Sequence, residues 1–161
     1  MSLIATFTAD GKTETFYKSI TLQGMPQPSQ TLELHPGWNI VTLTKPLKDS
    51  LDGLQKFLWL KPIMFDAENS SLVVCDSADA VKAGIGYWVF SRSRQTIELV
   101  QDTEQPVSQV ELKQGWNFVG MTEESTWPDA ASVIWTWQNG RFVPVEKAEL
   151  QVGYSYWVYL F

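Results

Sequence analysis

One cysteine and one histidine occur in 161 residues. With Cys75 alone, no disulfide closes within the chain and no cysteine-based zinc site forms. With His35 alone, neither a Ser-His-Asp nor a Cys-His mechanism finds its base in a recognisable context. Basic side chains are also few: 12 Lys and Arg face 18 Asp and Glu, for a net charge of −6. Phosphate backbones and anionic lipid are read by positive surface, so neither is an expected partner. Apolar runs such as Tyr87 to Phe90 and Tyr156 to Phe161 fall far short of the roughly 20 residues of a membrane helix, so no transmembrane segment is expected. The chain also opens without the n-region and h-region of a signal peptide. It starts and stops on strand-like segments, as a piece of a longer protein would.

What the chain does have is aromatic: eight Trp, five Tyr and eight Phe, 13% of residues. They recur in order. The stretch from Leu32 to Val41 returns from Val110 to Val119 at an offset of 78, carrying Gly37-Trp38-Asn39 onto Gly115-Trp116-Asn117. Downstream, Gly84-Ile85-Gly86-Tyr87-Trp88-Val89 returns as Gly153-Tyr154-Ser155-Tyr156-Trp157-Val158 at an offset of 69. Between these anchors Phe65 and Leu72 align with Trp135 and Phe142, which places Trp137 opposite Ala67. Two anchors repeated in the same order mark an internal repeat.

Each copy reads as strand. Leu32-Glu33-Leu34 alternates before a Pro36-Gly37 turn, and β-favouring residues follow from Trp38 to Leu43. Ile134 to Gln138, Asn139-Gly140 and Arg141 to Val145 predict a hairpin on a type I′ turn, with Trp137 opposite Phe142 and Trp135 opposite Pro144. Asn69-Ser70 is the expected turn of the first copy, and Asp10-Gly11 joins two N-terminal strands. Helix is expected only over Ser50 to Trp59, with a shorter counterpart over 126–132.

The expected fold is mainly β: two similar halves related by a pseudo-twofold, forming a sandwich or barrel-like domain with a short helix in each half. The boundaries are an N-terminal β-hairpin at 1–24, a first repeat at 25–91, a connecting strand at 92–109 and a second repeat at 110–161, with 31–161 as one compact unit. The connecting segment Gln95 to Val100 is expected to pair back on Tyr87 to Ser91.

Gly37, Trp38, Asn39, Tyr87 and Trp88, with Gly115, Trp116, Asn117, Tyr156 and Trp157, form the structural repeat motif. The glycines predict a bend, the asparagines satisfy turn backbone, and the tryptophans fill the core with indole N–H groups partnered. The Gly-Trp-Asn motif followed 40 to 50 residues later by Gly-x-(Gly/Ser)-Tyr-Trp-Val resembles tandem repeats of large secreted or surface proteins of bacteria, over 32–91 and 110–161. The resemblance implies an accessory module in an extracellular or envelope setting and carries no catalytic residue.

The remaining chemistry is sparse. Glu33 and Glu111 alternate with leucines and point outward, and His35 sits in a turn. Cys75 reads as a buried apolar side chain. The oxygen-rich loops at Asp66 to Asn69 and Asp76 to Asp79 lack the spacing and glycine of a calcium loop. No metal, cofactor or catalytic residue is expected. The function expected is that of a non-catalytic structural or adhesive module, with other domains of its parent protein or a surface polysaccharide as partners. The alternative is a carbohydrate-binding module built on tryptophans outside the repeat, with Trp127, Trp137, Gln138, Arg141 and Tyr154 as its ligand-binding residues.

Overall fold

A computed structural model describes residues 2–9, 12–19, 29–48, 50–76, 81–125, 127 and 131–161. Strands dominate. Ser2–Ala9 (β1) and Lys12–Ser19 (β2) pair with each other as an antiparallel hairpin, the N-terminal pairing expected, although its turn lies outside the described residues.

The rest is built around two four-stranded sheets. The first contains Gly37–Thr42 (β4), Ile63–Asp66 (β5), Ser71–Val74 (β6) and Gly86–Ser91 (β7), in the order β4-β7-β5-β6. The second contains Gly115–Gly120 (β9), Ala131–Gln138 (β10), Arg141–Pro144 (β11) and Ser155–Leu160 (β12), in the order β9-β12-β10-β11. The two orders are the same. The registers agree as well: Trp38 opposes Phe90 and Ile40 opposes Trp88, as Trp116 opposes Tyr159 and Phe118 opposes Trp157.

Alternation along these strands gives each sheet two apolar faces. On the outer face of the first sheet Val41, Leu43, Tyr87 and Val89 are buried. Ser29–Leu34 (β3) and Gln95–Val100 (β8) cover them as a two-stranded ribbon, burying Leu32, Leu34, Ile97 and Leu99. The outer face of the second sheet buries Val119, Ile134, Tyr156 and Val158, with Val110, Leu112 and Trp127 packed on them. The inner faces meet ring to ring. Trp88 lies 6.0 Å from Phe118, 5.2 Å from Trp137 and 6.2 Å from Phe142, and Phe65 lies 4.9 Å from Trp157. At the centre Phe118 stacks on Trp157 at 4.8 Å and 12°.

Backbone also crosses between the halves: the Gly120 N–H donates to Gly84 O at 2.9 Å, and Ile85 bridges Val119. Each half repeats a tyrosine lock. The Tyr87 hydroxyl accepts the Lys82 N–H at 2.6 Å, and the Tyr156 hydroxyl accepts the Gln151 N–H at 3.0 Å.

Four expectations are corrected. The segment Gln95–Val100 pairs with β3 rather than returning to β7, because β4 and β5 already flank β7. Residues 110–112, the counterpart of β3, form no strand, there being no second ribbon partner for them. The helix α1 spans only Ser50–Gln55; Leu58 still reaches the core from the turn that follows. A short helix does occur in the second half, but as a 3₁₀ turn at Lys147–Glu149; of the expected 126–132, Ala131 and Ser132 belong to β10, and 126 and 128–130 lie outside the described residues. The fourth correction moves Trp137. The β5–β6 hairpin has a four-residue loop, 67–70, where the Asn139-Gly140 turn has two. Registers therefore superpose Phe65 on Trp137 and Ile63 on Trp135, so Trp137 belongs to the repeat rather than standing outside it.

Candidate binding clefts

The repeated turn before each first strand is built the same way twice. Gly37 and Gly115 have φ of +99° and +90°, a region that favours glycine, and no neighbour crowds either of them. The asparagine two residues on ties the turn down. Asn39 Oδ1 accepts the His35 N–H at 2.9 Å while its amide donates to His35 O and Gly37 O. Asn117 repeats these bonds with Lys113 and Gly115. The motif is thus a turn lock, and it holds the intervening tryptophan at the outer end of the inner face. Trp38 is 42% exposed and Trp116 41%. Their expected place in the core is corrected: each leans edge-on against one neighbouring ring pair and leaves the rest of its surface to solvent. Trp38 contacts Trp88 at 6.4 Å and Phe90 at 5.3 Å. Trp116 contacts Trp157 at 6.2 Å and Tyr159 at 5.1 Å. The repeat tryptophans that lie deeper are Trp88 and Trp157, both half-buried, and Trp157 Nε1 is buried without an acceptor among the described residues.

Trp38 and Trp116 each open onto a cleft between the halves, and the two clefts differ. Trp38 faces one of about 1100 Å³, between β3–β4 and the turn of the β10–β11 hairpin, with the loop before β12 also on its wall. Its walls mix ring surface from Trp38, Trp137 and Tyr154 with polar groups from Thr31, His35, Gln138 and Asn139. The side chains of His35, Gln138 and Asn139 have no hydrogen-bond partner among the described residues, whereas Gln30 spans Thr42 O and the Thr44 N–H and is fully engaged. Besides the Tyr154 phenol, the ionisable groups that the described residues place on these walls are Glu33, 3.8 Å from Arg94, and His35. Trp116 faces a groove of about 710 Å³ whose walls are Phe65, Val133, Trp135, Phe142 and Trp157, with Ser70 as the single polar residue among the described ones.

The five expected ligand-binding residues divide. Trp137, Gln138 and Tyr154 line the larger cleft together. Arg141 pairs with Gln138 across the hairpin but is not on the cleft wall. Trp127 is remote from them, packed edge-on against Tyr156 at 5.6 Å over the second core. Gly37, Trp38 and Asn39 are the cleft residues that the sequence assigned to the scaffold. A strand pattern shows that Trp38, Ile40 and Thr42 share a face but not that this face ends at an opening.

Other candidate chemistry is committed to structure. Asp66 Oδ1 accepts the Glu68 and Asn69 N–H groups while Oδ2 accepts the Asn69 amide; chiefly through that amide, its carboxyl is held below the usual value. Asp76 pairs with Lys61 at 2.6 Å, both largely exposed, and Asp79 lies outside the described residues. Glu33, Glu111 and His35 are exposed, as expected. Cys75 is buried, and burial with the adjoining Asp76 charge pushes its thiol up to about 11. Among the described residues no three His, Cys, Asp or Glu side chains gather as a metal site, and no helix is long and apolar enough to cross a membrane. No protein-family model, curated protein or solved structure matches this chain.

Proposed function

We propose that the chain is a non-catalytic adhesive module of a larger bacterial extracellular or envelope protein, working as one rigid body that holds a partner between its two halves. The observation that supports this most is the aromatic layer. Trp88 meets Phe118 and Trp137, and Phe65 meets Trp157, across the halves, while Trp38 stands at the rim of this layer, 42% exposed, beside the polar side chains of the larger cleft. Exposed aromatic side chains beside polar ones are the composition of binding surfaces. The exposed carboxylates of Glu33 and Glu111 serve solvent or ion pairs, with Lys113 3.0 Å from Glu111.

The test is co-sedimentation of the purified chain with insoluble bacterial cell-wall material and with insoluble polysaccharides, combined with an assay for released reducing ends. Sedimentation with at least one material and no released ends is the expected result. Release of soluble products proportional to added protein would make the chain an enzyme. Failure to sediment with any material would remove the adhesive reading.

A further inference from the structure

We infer that the larger cleft, lined by Trp38, Trp137 and Tyr154, is the binding site for an uncharged glycan chain. This rests on the adhesive reading and names its ligand class. A sugar ring presents an apolar C–H face and a rim of hydroxyls, so its site needs exposed aromatic surface beside unoccupied, uncharged donors and acceptors. The cleft supplies both. Trp38 and Trp137 both pack edge-on against Trp88, at 6.4 and 5.2 Å, so one ring supports the two indoles. Tyr154, 54% exposed, adds a third ring on the loop before β12. Gln138, Asn139 and His35 carry side-chain donors and acceptors not used by the described residues.

The pseudo-equivalent groove works as an internal comparison. It holds Trp116 where the first holds Trp38 and Phe65 where the first holds Trp137, yet Ser70 is the single polar residue among the described ones on its wall. Hydroxyls buried there would lose their water partners with little replacement, which costs binding. The two clefts share their aromatic positions and differ in their polar ones, so only the first meets both needs of a sugar. Charge narrows the class further. The chain carries −6, and the cleft offers one carboxylate and one histidine rather than a basic cluster, so uronic or phosphorylated polymers are disfavoured.

The experiment is isothermal titration of the chain with cellohexaose, xylohexaose, mannohexaose, laminarihexaose and chitohexaose, and with polygalacturonate as the anionic comparison. The variants are Trp38→Ala, Tyr154→Ala and Trp116→Ala, each first compared with wild type by thermal midpoint. Saturable binding of at least one neutral oligosaccharide is expected, weakened roughly tenfold or more by Trp38→Ala and measurably by Tyr154→Ala, and unchanged in Trp116→Ala. Tyr154 is 54% exposed and makes no ring contact among the described residues, so its variant stays informative if Trp38→Ala unfolds. Binding lost in Trp116→Ala but kept in Trp38→Ala and Tyr154→Ala would move the site to the apolar groove and overturn the inference. Binding of polygalacturonate alone, or of no oligosaccharide, would overturn it too. In the last case, continued sedimentation with cell-wall material would leave the adhesive reading standing, and absence of sedimentation would remove both.

Discussion

Gly120 of the second half has no Cβ because Thr42 of the first half occupies that space: a methyl built on Gly120 would overlap the Thr42 side chain. The two positions are counterparts in the repeat, each the last residue of the first strand in its four-stranded sheet. Where like meets like across the pseudo-axis, two threonines do not fit and the halves resolve the conflict unequally. Thr42 uses its place to donate to Ile85 O at 2.8 Å. Gly120→Ala is therefore expected to destabilise by at least the 1–3 kcal/mol typical of an overpacked core. Adding Thr42→Gly should recover part of that loss, less the hydrogen bond to Ile85. Urea denaturation of the two single variants and the pair measures the coupling, and strictly additive losses would show that the residues do not compete for one space.

Asn39 and Asn117 make the same turn bonds in different surroundings. Asn117 is 2% exposed and its amide also lies 3.5 Å from Val158 O, whereas Asn39 is half-buried. Replacing either by Ala leaves backbone groups of the turn unpaired, at about 1–3 kcal/mol. Asn117→Ala belongs at the upper end and Asn39→Ala at the lower. Asn117→Asp should be no better than alanine, since a carboxylate accepts from the Lys113 N–H but cannot donate to Lys113 O or Gly115 O. Chemical denaturation orders the three variants; equal losses at positions 39 and 117 would contradict the role given to burial.

Alkaline pH should weaken the fold. Burial raises Cys75 from an ordinary value near 9 to about 11, and raises Tyr87 and Tyr156 above their ordinary value of 10. Over that range the folded state holds protons that the unfolded state has released, so stability falls as pH climbs from about 9. Below pH 8 these three groups contribute no pH dependence. The Cys75 thiol is also expected to react with a thiol reagent at pH 8 only at the rate of structural opening. Denaturation midpoints at pH 7, 9 and 10.5, with reaction rates followed in parallel, check both. A rising midpoint, or immediate reaction of the native protein, would run against this.

Much of the architecture was legible in the residues because it depends on local rules. Asn139-Gly140 specifies its turn, with φ of +51° and +78°, and that turn sets Trp137 opposite Phe142 and Gln138 opposite Arg141 as expected. Repetition of Gly-Trp-Asn and Tyr-Trp-Val marked two halves that prove to have the same strand order. What was not legible depends on which surfaces meet. No turn signal shows that residues 67–70 form a four-residue loop, and that two-residue difference alone shifted Trp137 out of the repeat. The choice of β3 over β7 as partner of β8 follows from β7 being already flanked, which no window of sequence contains. Both faces of β4 and β7 are apolar, so alternation could not say which tryptophans are interior. Trp127 and Trp137 both read as free of the scaffold, yet one covers a core and the other lines the larger cleft.

The most direct test of the two halves as one body is equilibrium unfolding followed by tryptophan fluorescence and by far-ultraviolet circular dichroism in the same urea series. Fluorescence is weighted toward the ring layer between the sheets and dichroism toward the sheets themselves. One coincident transition is expected. Trp157→Ala, which removes the ring stacked on Phe118, should lower the unfolding free energy by about 3–5 kcal/mol, and Trp38→Ala, with its exposed rim position, by distinctly less. Two separated transitions in the wild-type protein, with Trp157→Ala shifting only one, would mean that the halves fold independently and that the aromatic layer does not join them.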